Sequence, residues 1–555
     1  MGKKIGIDLG TTYSVVSYVD DMGQICNIES SEGDKTTPSV VFFDPDGQTV
    51  VVGSAAREAG AMNPECLVER VKNFMGDPDY RCYMNGQEYS AAAVSALILK
   101  KLVGDAEQAL GGEEIEGAVI TCPAYFGDAA REATRKAGES VVLQNGEHLK
   151  VLKVMDEPTA AAIAYGKAHS EDMHKTVLIY DLGGGTFDCT VMRFDFEGDN
   201  RKYQVVTTGG NHQLGGKDWD KALADYVRSE FCNATGADVS EMEEDAESKA
   251  WFSENIEKAK KQLTSKDSTK LTPSFGGQKA QVEITIDKFN ELTENLFSET
   301  ISLIDQMCEK KGIDLATEID EIILVGGSTR MRQVETGLAD HYGKPLVKFD
   351  PDKAVSNGAA LVASGINVDA NFGEGEDGAP APVDGTDGGA TLGGASITFD
   401  DQLTGQSNEV VELCTKSYCM RYNKGGAEAY KNLVVKDTPK PAFGSTATLF
   451  GDAGLTLTGN PAPVSSIPLY IMENESLNED VTKEECAELY EEMPIELDPP
   501  VPGNEPVEVE LNVDGNGQLT LTLVILSSGK RYALHPVRRG GEDNTLGNIG
   551  GFTLG

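Results

Sequence analysis

Two stretches of this chain repeat one short plan. Ile5-Gly-Ile-Asp-Leu-Gly-Thr-Thr and Leu178-Ile-Tyr-Asp-Leu-Gly-Gly-Gly-Thr each run an apolar strand into Asp and Leu, then a glycine turn, a threonine and a second strand. Copies about 170 residues apart are too distant for a short-period solenoid and predict two similar lobes facing one another. The segments between and after them fit that plan. Val15–Val19, Val40–Phe43 and Ala118–Thr121 read as strands, and Val177–Tyr180 and Glu321–Val325 as apolar runs suited to a sheet covered on both faces. Ser90 is placed to cap a helix whose apolar face is Val94, Leu97, Ile98 and Leu102, and Asp128 opens the polar helix Ala129–Ser140. The alternation continues to about Asn367 and is that of an α/β domain.

The same two turns carry chemistry. A turn built on Gly10, or on Gly183, Gly184 and Gly185, lacks Cβ atoms, so backbone N–H groups can approach phosphate oxygens closely. Thr11 and Thr12 add hydroxyl donors after the first turn and Thr186 after the second. Asp8 and Asp181, at the strand ends, supply the anionic oxygens that a hydrated Mg²⁺ takes. A single such turn is weak support for phosphate binding, because a plain tight turn uses the same residues; a pair outweighs that reading. Val325-Gly-Gly-Ser-Thr-Arg330 is a third glycine turn directly after an apolar strand. Alone it is a strand-to-helix turn needing small residues; with the other two it completes a nucleotide cradle.

With these motifs the sequence resembles the seventy-kilodalton heat-shock chaperone family, the DnaK type, within the actin-like ATPase superfamily. The likeness runs in order through Ile5–Ser14, Gly33–Ser39, Ala118–Phe126, Asp156–Gly166, Asp181–Asp188, Gly215–Asp220, Glu257–Thr264, Ile322–Met331 and Asp352–Ala360. It implies a duplicated two-lobed actin-like (ribonuclease H-like) ATPase domain over residues 1–368, binding ATP or ADP with Mg²⁺. Asp8 and Asp181 would organise Mg²⁺ through water, and Thr11, Thr12 and Tyr13 would contact phosphates. Lys72 sits at the family's catalytic lysine, with Glu157, Thr186 and Asp188 ordering the attacking water. Glu257, Lys260 and Thr264 match the helix that sandwiches the adenosine, and Gly326, Gly327, Ser328, Arg330 and Asp352 its other side. Pro123 and Arg131 match the relay between nucleotide state and substrate domain. Bland rivals stand beside these roles: Lys72 as a solvated surface lysine, Glu257 and Lys260 as a surface ion pair at helical spacing, and Cys122 and Cys189 as small core residues.

Composition then shifts. No Lys or Arg lies between Lys353 and Lys416, and residues 369–396 read as an acidic, Gly-rich linker that cannot bury enough apolar surface to fold. Residues 397–540 are expected to form an antiparallel β-sandwich binding substrate or partner. Asn432–Thr438 and Ile467–Met472 are β segments within it. Val507, Val509, Leu511 and Val513 alternate into the turn Asp514-Gly-Asn-Gly, and Leu519, Leu521 and Leu523 alternate back as a hairpin. Residues 541–555 read as a Gly-rich tail without helical periodicity. The family's leucine-rich docking segment has no counterpart in Gly373–Gly394, and its helical lid is missing, so weak communication between the domains is expected.

At 555 residues the chain is too long for one core. Its net charge of −42 argues against nucleic acid and anionic membrane as partners. No run of 18 apolar residues exists, and Met1-Gly-Lys-Lys does not open a signal peptide. The 10 cysteines lie singly, with Cys414 and Cys419 the nearest two, so reduced thiols and a cytoplasmic setting are expected rather than zinc or disulfides. The function expected is slow ATP hydrolysis gating the capture of unfolded or client polypeptides, with a J-type co-chaperone and a nucleotide exchange factor as further partners. An ATP-gated adaptor for one folded partner is the binding-class alternative. A sugar-type kinase on the same fold is weaker, because it needs a carboxylate base beside an acceptor pocket.

Overall fold

In a computed structural model of the chain, each echoed strand founds a sheet of the same design. The first, Lys3–Asp8, pairs antiparallel with Tyr13–Val19, which pairs antiparallel with Ile25–Asn27. On its other side it runs parallel to Ile115–Cys122, itself parallel to Val151–Asp156. In the second lobe Met173–Leu182 pairs antiparallel with Phe187–Glu197, and that strand with Asn200–Asn211. Its other edge runs parallel to Glu321–Val325 and then Leu346–Lys348. The duplication thus extends from motif to hydrogen-bond order. The structure describes residues 2–169, 171–366, 397–400, 406–424, 426–450, 454–488, 490–515, 517–536 and 544–554.

The helices Glu157–Lys167 and Ala354–Gly365 lie between the two sheets, and their small residues allow burial on nearly all sides. Ser90 caps Ala91–Ala109 as expected, accepting a 3.0 Å bond from the Ala93 N–H. Among the described residues no helix is long and apolar enough to cross a membrane.

The second half departs from expectation at both ends. Ile397–Asp400 and Ser407–Val411 do not belong to the sandwich: Ser407–Val411 runs parallel to Asn200–Asn211 and extends the sheet of the second lobe, with Ile397–Asp400 outside it. The boundary expected at 397 therefore falls after this strand pair. Alternation explains the placement, since Asn408 and Val410 are buried against the lobe while their neighbours are half-buried. The expected acidic linker lies outside the described residues. At the other end the Gly-rich tail is docked, not loose. Asn544–Gly551 forms a 3₁₀ helix, and Thr553–Leu554 adds parallel to Thr49–Val52 in the first lobe. Ile549 and Phe552 enter that lobe's core, where Phe552 meets Phe43 edge-on with ring centroids 5.8 Å apart. Lys100 Nζ also donates to the Phe552 carbonyl at 2.9 Å.

Between these ends, two main antiparallel sheets and the smaller pair of Pro463–Leu469 with Met493–Pro502 enclose one core. One orders Ile471–Asn474, Ser417–Lys424, Ala427–Val434 and Asp480–Val481; the other orders Ala442–Ser445, Pro506–Val513, Leu519–Ile525 and Lys530–Leu534. The expected hairpin forms in register, with Val513 opposite Leu519 and Val507 opposite Ile525. This unit packs on the two lobes through Thr415, whose hydroxyl donates to the Phe126 carbonyl at 3.2 Å, and through a 2.6 Å ion pair of Asp437 with Lys311.

Candidate nucleotide-binding site

The two glycine hairpins meet at their tips. A Cβ on Gly184 would lie 2.1 Å from Thr12 Oγ1 and one on Gly185 2.9 Å from Thr11 Cγ2, so only glycine permits this approach. Gly10 N–H donates to Ser14 Oγ at 3.2 Å, and Gly183 N–H to the Thr186 carbonyl at 3.0 Å, which closes each turn. The third loop leans on the second. Ser328 Oγ donates to the Gly183 carbonyl at 2.9 Å, and Gly326, at φ +83°, passes so near Asp181 that a Cβ would lie 2.6 Å from its Oδ1. Gly327 and Arg330 face Asp352, which pairs with the Arg330 guanidinium.

Between the hairpins stand four carboxylates and one lysine. Lys72, on the 3₁₀ turn Val71–Phe74, is buried and ion-paired to Glu157, the first residue of its helix. Asp8 and Asp181 are half-buried at the strand ends; Asp188 and Thr186 are buried beside them. Asp181 and Asp188 are direct cross-strand partners. Burial and the Glu157 charge push Asp8 up to about 7, against Lys72 and a 3.4 Å bond from Thr121 Oγ1. Burial together with neighbouring carboxylates raises Asp181 and Asp188 as well. Burial works to lower Lys72, but Glu157 and Asp8 outweigh it and the ammonium is held protonated. One ammonium leaves this negative charge under-compensated. A hard dication with oxygen preference would relieve it, so the donor set fits Mg²⁺.

The residues expected on the adenosine side sort differently from the sequence pattern. Glu257 pairs with Lys261 at 2.9 Å, not with Lys260, and accepts from Tyr13 Oη at 3.2 Å across the cleft. Lys260 points the other way, donating at 2.7 Å to Asp220 and at 2.8 Å to the Gly216 carbonyl. The Thr264 hydroxyl turns back to the Lys261 carbonyl at 2.7 Å, at the end of the helix. Arg57, which no sequence signal flagged, donates to Tyr13 Oη at 3.1 Å and stands 3.9 Å from Glu257. Lys261 was within reach of sequence reasoning, because i, i+4 is the better helical spacing for Glu before Lys. Cys122 and Cys189 are buried core residues; burial pushes the Cys122 thiol up to about 12.

Arg131 is buried, ion-paired to Asp156 and bonded to the Phe126 carbonyl at 2.9 Å. Beside it lies a residue that sequence reasoning did not single out. Glu412, one position past the docked strand, is buried with its Oε2 3.3 Å from Lys440 and 3.9 Å from Lys153. Burial opposes its charge, but Lys440, Lys153 and Arg131 together hold it at about 2.

Two lobes built on one strand plan, with glycine hairpins meeting over a carboxylate-lined cleft, define a two-lobed actin-like fold of the nucleotide-binding class. The family model described as Hsp70 protein matches residues 4–81 and 76–371, and the chain belongs to the Hsp70 family. The chaperone protein DnaK of Thermotoga petrophila is 41% identical over 370 residues, covering 65% of this chain and 59% of that protein. The DnaK proteins of Thermotoga maritima and Thermotoga neapolitana match to the same extent. The chain thus spans about three-fifths of the length of these relatives.

Proposed function

We propose that this chain is an Mg²⁺-dependent ATPase of the Hsp70 chaperone type, in which slow ATP hydrolysis governs the grip of the β domain on polypeptide clients. The observation that carries the reading is the buried Lys72–Glu157 pair among the raised carboxylates Asp8, Asp181 and Asp188, between two glycine hairpins. Hairpin amides with Thr11, Thr12 and Tyr13 would hold the phosphates. Asp8 and Asp181 would hold Mg²⁺ through water, and the ion would neutralise phosphate charge. Lys72 stabilises charge on the γ-phosphoryl oxygens, while Glu157, Thr186 and Asp188 orient the attacking water. Glu257, Lys260 and Thr264 on one side, and Gly326, Gly327, Ser328, Arg330 and Asp352 on the other, would enclose the adenosine. A J-type protein and an exchange factor are the further partners this reading implies.

The test is single-turnover hydrolysis of Mg·ATP. Lys72→Ala is expected to retain nucleotide binding and to lose about a hundredfold or more in rate, the scale for removing a transition-state charge donor. A wild-type rate would refute the assignment. Capture by the full chain of one folded partner instead of many unfolded chains would move the reading to an adaptor. ATP-dependent phosphorylation of a sugar acceptor would move it to a kinase.

A further inference from the structure

Cys419 and Cys486 are 67 residues apart in sequence, yet their Sγ atoms lie 3.2 Å apart. Cys419 is buried in the strand Ser417–Lys424, and Cys486 is half-buried just after the 3₁₀ turn Lys483–Glu485. We propose that these two thiols form a reversible disulfide, a redox modification site in the β domain whose neighbours Glu485 and Ala487 line a cavity against the first lobe. A disulfide places the sulfurs about 2.0 Å apart, so closure needs a movement of only about 1 Å. Cys486 sits on a short turn, where such a shift is easy. Its Sγ is otherwise held by the Thr482 carbonyl at 3.2 Å and by Asn474 Nδ2 at 4.0 Å.

The two thiols divide the work by exposure. Cys486 is the one that a small molecule reaches, and Cys419, at 0% exposure, reacts only with its neighbour. The oxidant class is a low-molecular-weight disulfide such as oxidised glutathione. The Cys486 thiolate attacks one glutathione sulfur, the glutathione S–S bond breaks, and one glutathione leaves as thiolate and is protonated. Cys419 then gives up its proton and attacks Cys486 Sγ; the mixed disulfide breaks and the second glutathione leaves. Two protein thiols are oxidised, one glutathione disulfide is reduced to two thiols, and the electrons balance. Burial raises both thiols, and the Glu485 charge opposes thiolate formation at Cys486. The exchange is therefore slow, and the juxtaposition acts on the equilibrium instead.

The position ties this chemistry to the domain interface. Ala487, next to Cys486, exchanges two backbone hydrogen bonds with Glu473, at 2.7 and 3.2 Å. The Tyr490 hydroxyl lies 2.7 Å from Glu473 Oε1 and 3.3 Å from Asp128 Oδ2 of the ATPase domain. Oxidation would clip the turn leading to Tyr490 onto the strand Ser417–Lys424, which itself pairs with Ile471–Asn474.

The full chain is equilibrated in glutathione redox buffers from reducing to oxidising, quenched with acid, alkylated and mapped by peptide mass. Cys419 and Cys486 are expected to lose alkylation together and to appear in one cross-linked peptide that a reductant separates. Cys486→Ser restores full alkylation of Cys419, and Cys419→Ser leaves glutathione trapped on Cys486. Complete alkylation of both thiols in the most oxidising buffer overturns the proposal. So does a cross-link of either to another cysteine, or glutathione accumulating on Cys486 in the unmutated chain. Cys486 is not fully buried, so its serine variant keeps the test valid if Cys419→Ser fails to fold.

Discussion

Replacing Glu412 by glutamine removes one negative charge from a buried cluster in which Lys440 stands 3.3 Å and Lys153 3.9 Å away. At an effective dielectric of about 20 these separations correspond to about 5 and 4 kcal/mol of gross attraction. Burying the carboxylate cancels part of that. The net effect of Glu412→Gln is the smaller figure typical of stranding a buried partner, about 3–5 kcal/mol, or roughly two to four powers of ten in an equilibrium. The variant leaves Lys153, Lys440 and Arg131 facing Asp156 alone. The loss should fall on docking, because Glu412 directly follows the strand Ser407–Val411 that pairs with Asn200–Asn211. Hydrogen exchange on the intact chain separates the possibilities. Amides of Ser407–Val411 should exchange at least a hundredfold faster in the variant, while those of the hairpin Pro506–Val513 and Leu519–Ile525 stay protected. Adding Lys440→Met, which removes one stranded cation, should restore part of the protection. Exchange within threefold of the unmutated chain would refute the reasoning, and equal acceleration in the hairpin would show a global effect instead. The sign with pH follows from the depressed pKa. The contribution is fully present above the ordinary glutamate value near 4.5 and is lost as pH falls toward about 2, so docking should not vary through this group between pH 5 and 8.

Asp8→Asn and Asp181→Asn should each weaken Mg²⁺-dependent ADP binding by about tenfold or more in calorimetric titration, since an amide holds the ion's waters less well; unchanged affinity in both removes them from the metal site. Asp8, raised to about 7, is disfavoured as an anion in the ligand-free fold, so its contribution to stability is fully present below the ordinary aspartate value near 3.8, declines as pH rises to about 7 and levels off above it. Thermal melts of the ligand-free chain from pH 5.5 to 8.5 should show that decline, and Asp8→Asn should flatten it. Phe552→Ala empties a place beside Phe43 and Tyr89, and should destabilise the first lobe by about 3 kcal/mol in denaturant unfolding. A change under 0.5 kcal/mol would mean that the tail does not contribute to that core.

The parts legible in sequence were those written locally. The echo at Asp8 and Asp181 foretold two sheets of one design, and the alternation of Val507–Val513 and Leu519–Leu523 foretold a hairpin. What was missed depends on contacts between segments far apart in the chain. Nothing near Ser407–Val411 reveals that its partner is Asn200–Asn211, so five residues following an acidic stretch read as the start of the next domain. The tail residues Leu546, Ile549, Phe552 and Leu554 follow no helical or strand period, because a 3₁₀ turn and a two-residue strand present them to the lobe. Arg57 reaches Tyr13 and Glu257 only because the fold brings the helix Ser54–Met62 to the cleft. The pairing of Glu257 with Lys261, not Lys260, turned on one helical position, which spacing alone ranks only by a few tenths of a kcal/mol.

These long-range contacts also change what the two domains can say to each other. Asp156 and Glu157 are consecutive, at the cap and first residue of one helix. Glu157 holds Lys72 between the two glycine hairpins, and Asp156 holds Arg131, beside which Glu412 of the docked segment accepts at 3.4 Å from the Asp156 N–H. If Glu157 shifts with a bound γ-phosphate, as the proposed function implies, its neighbour Asp156 is expected to move with it, together with the guanidinium and the amide that the docked segment contacts. This route does not pass through the expected acidic linker, which lies outside the described residues. Linkage makes the consequence reciprocal: if nucleotide changes the docking equilibrium, docking changes nucleotide affinity by the same factor. Glu412→Gln should therefore alter ATP affinity although it lies outside the cleft, and an affinity equal to that of the unmutated chain would show that Asp156 and Glu157 move independently.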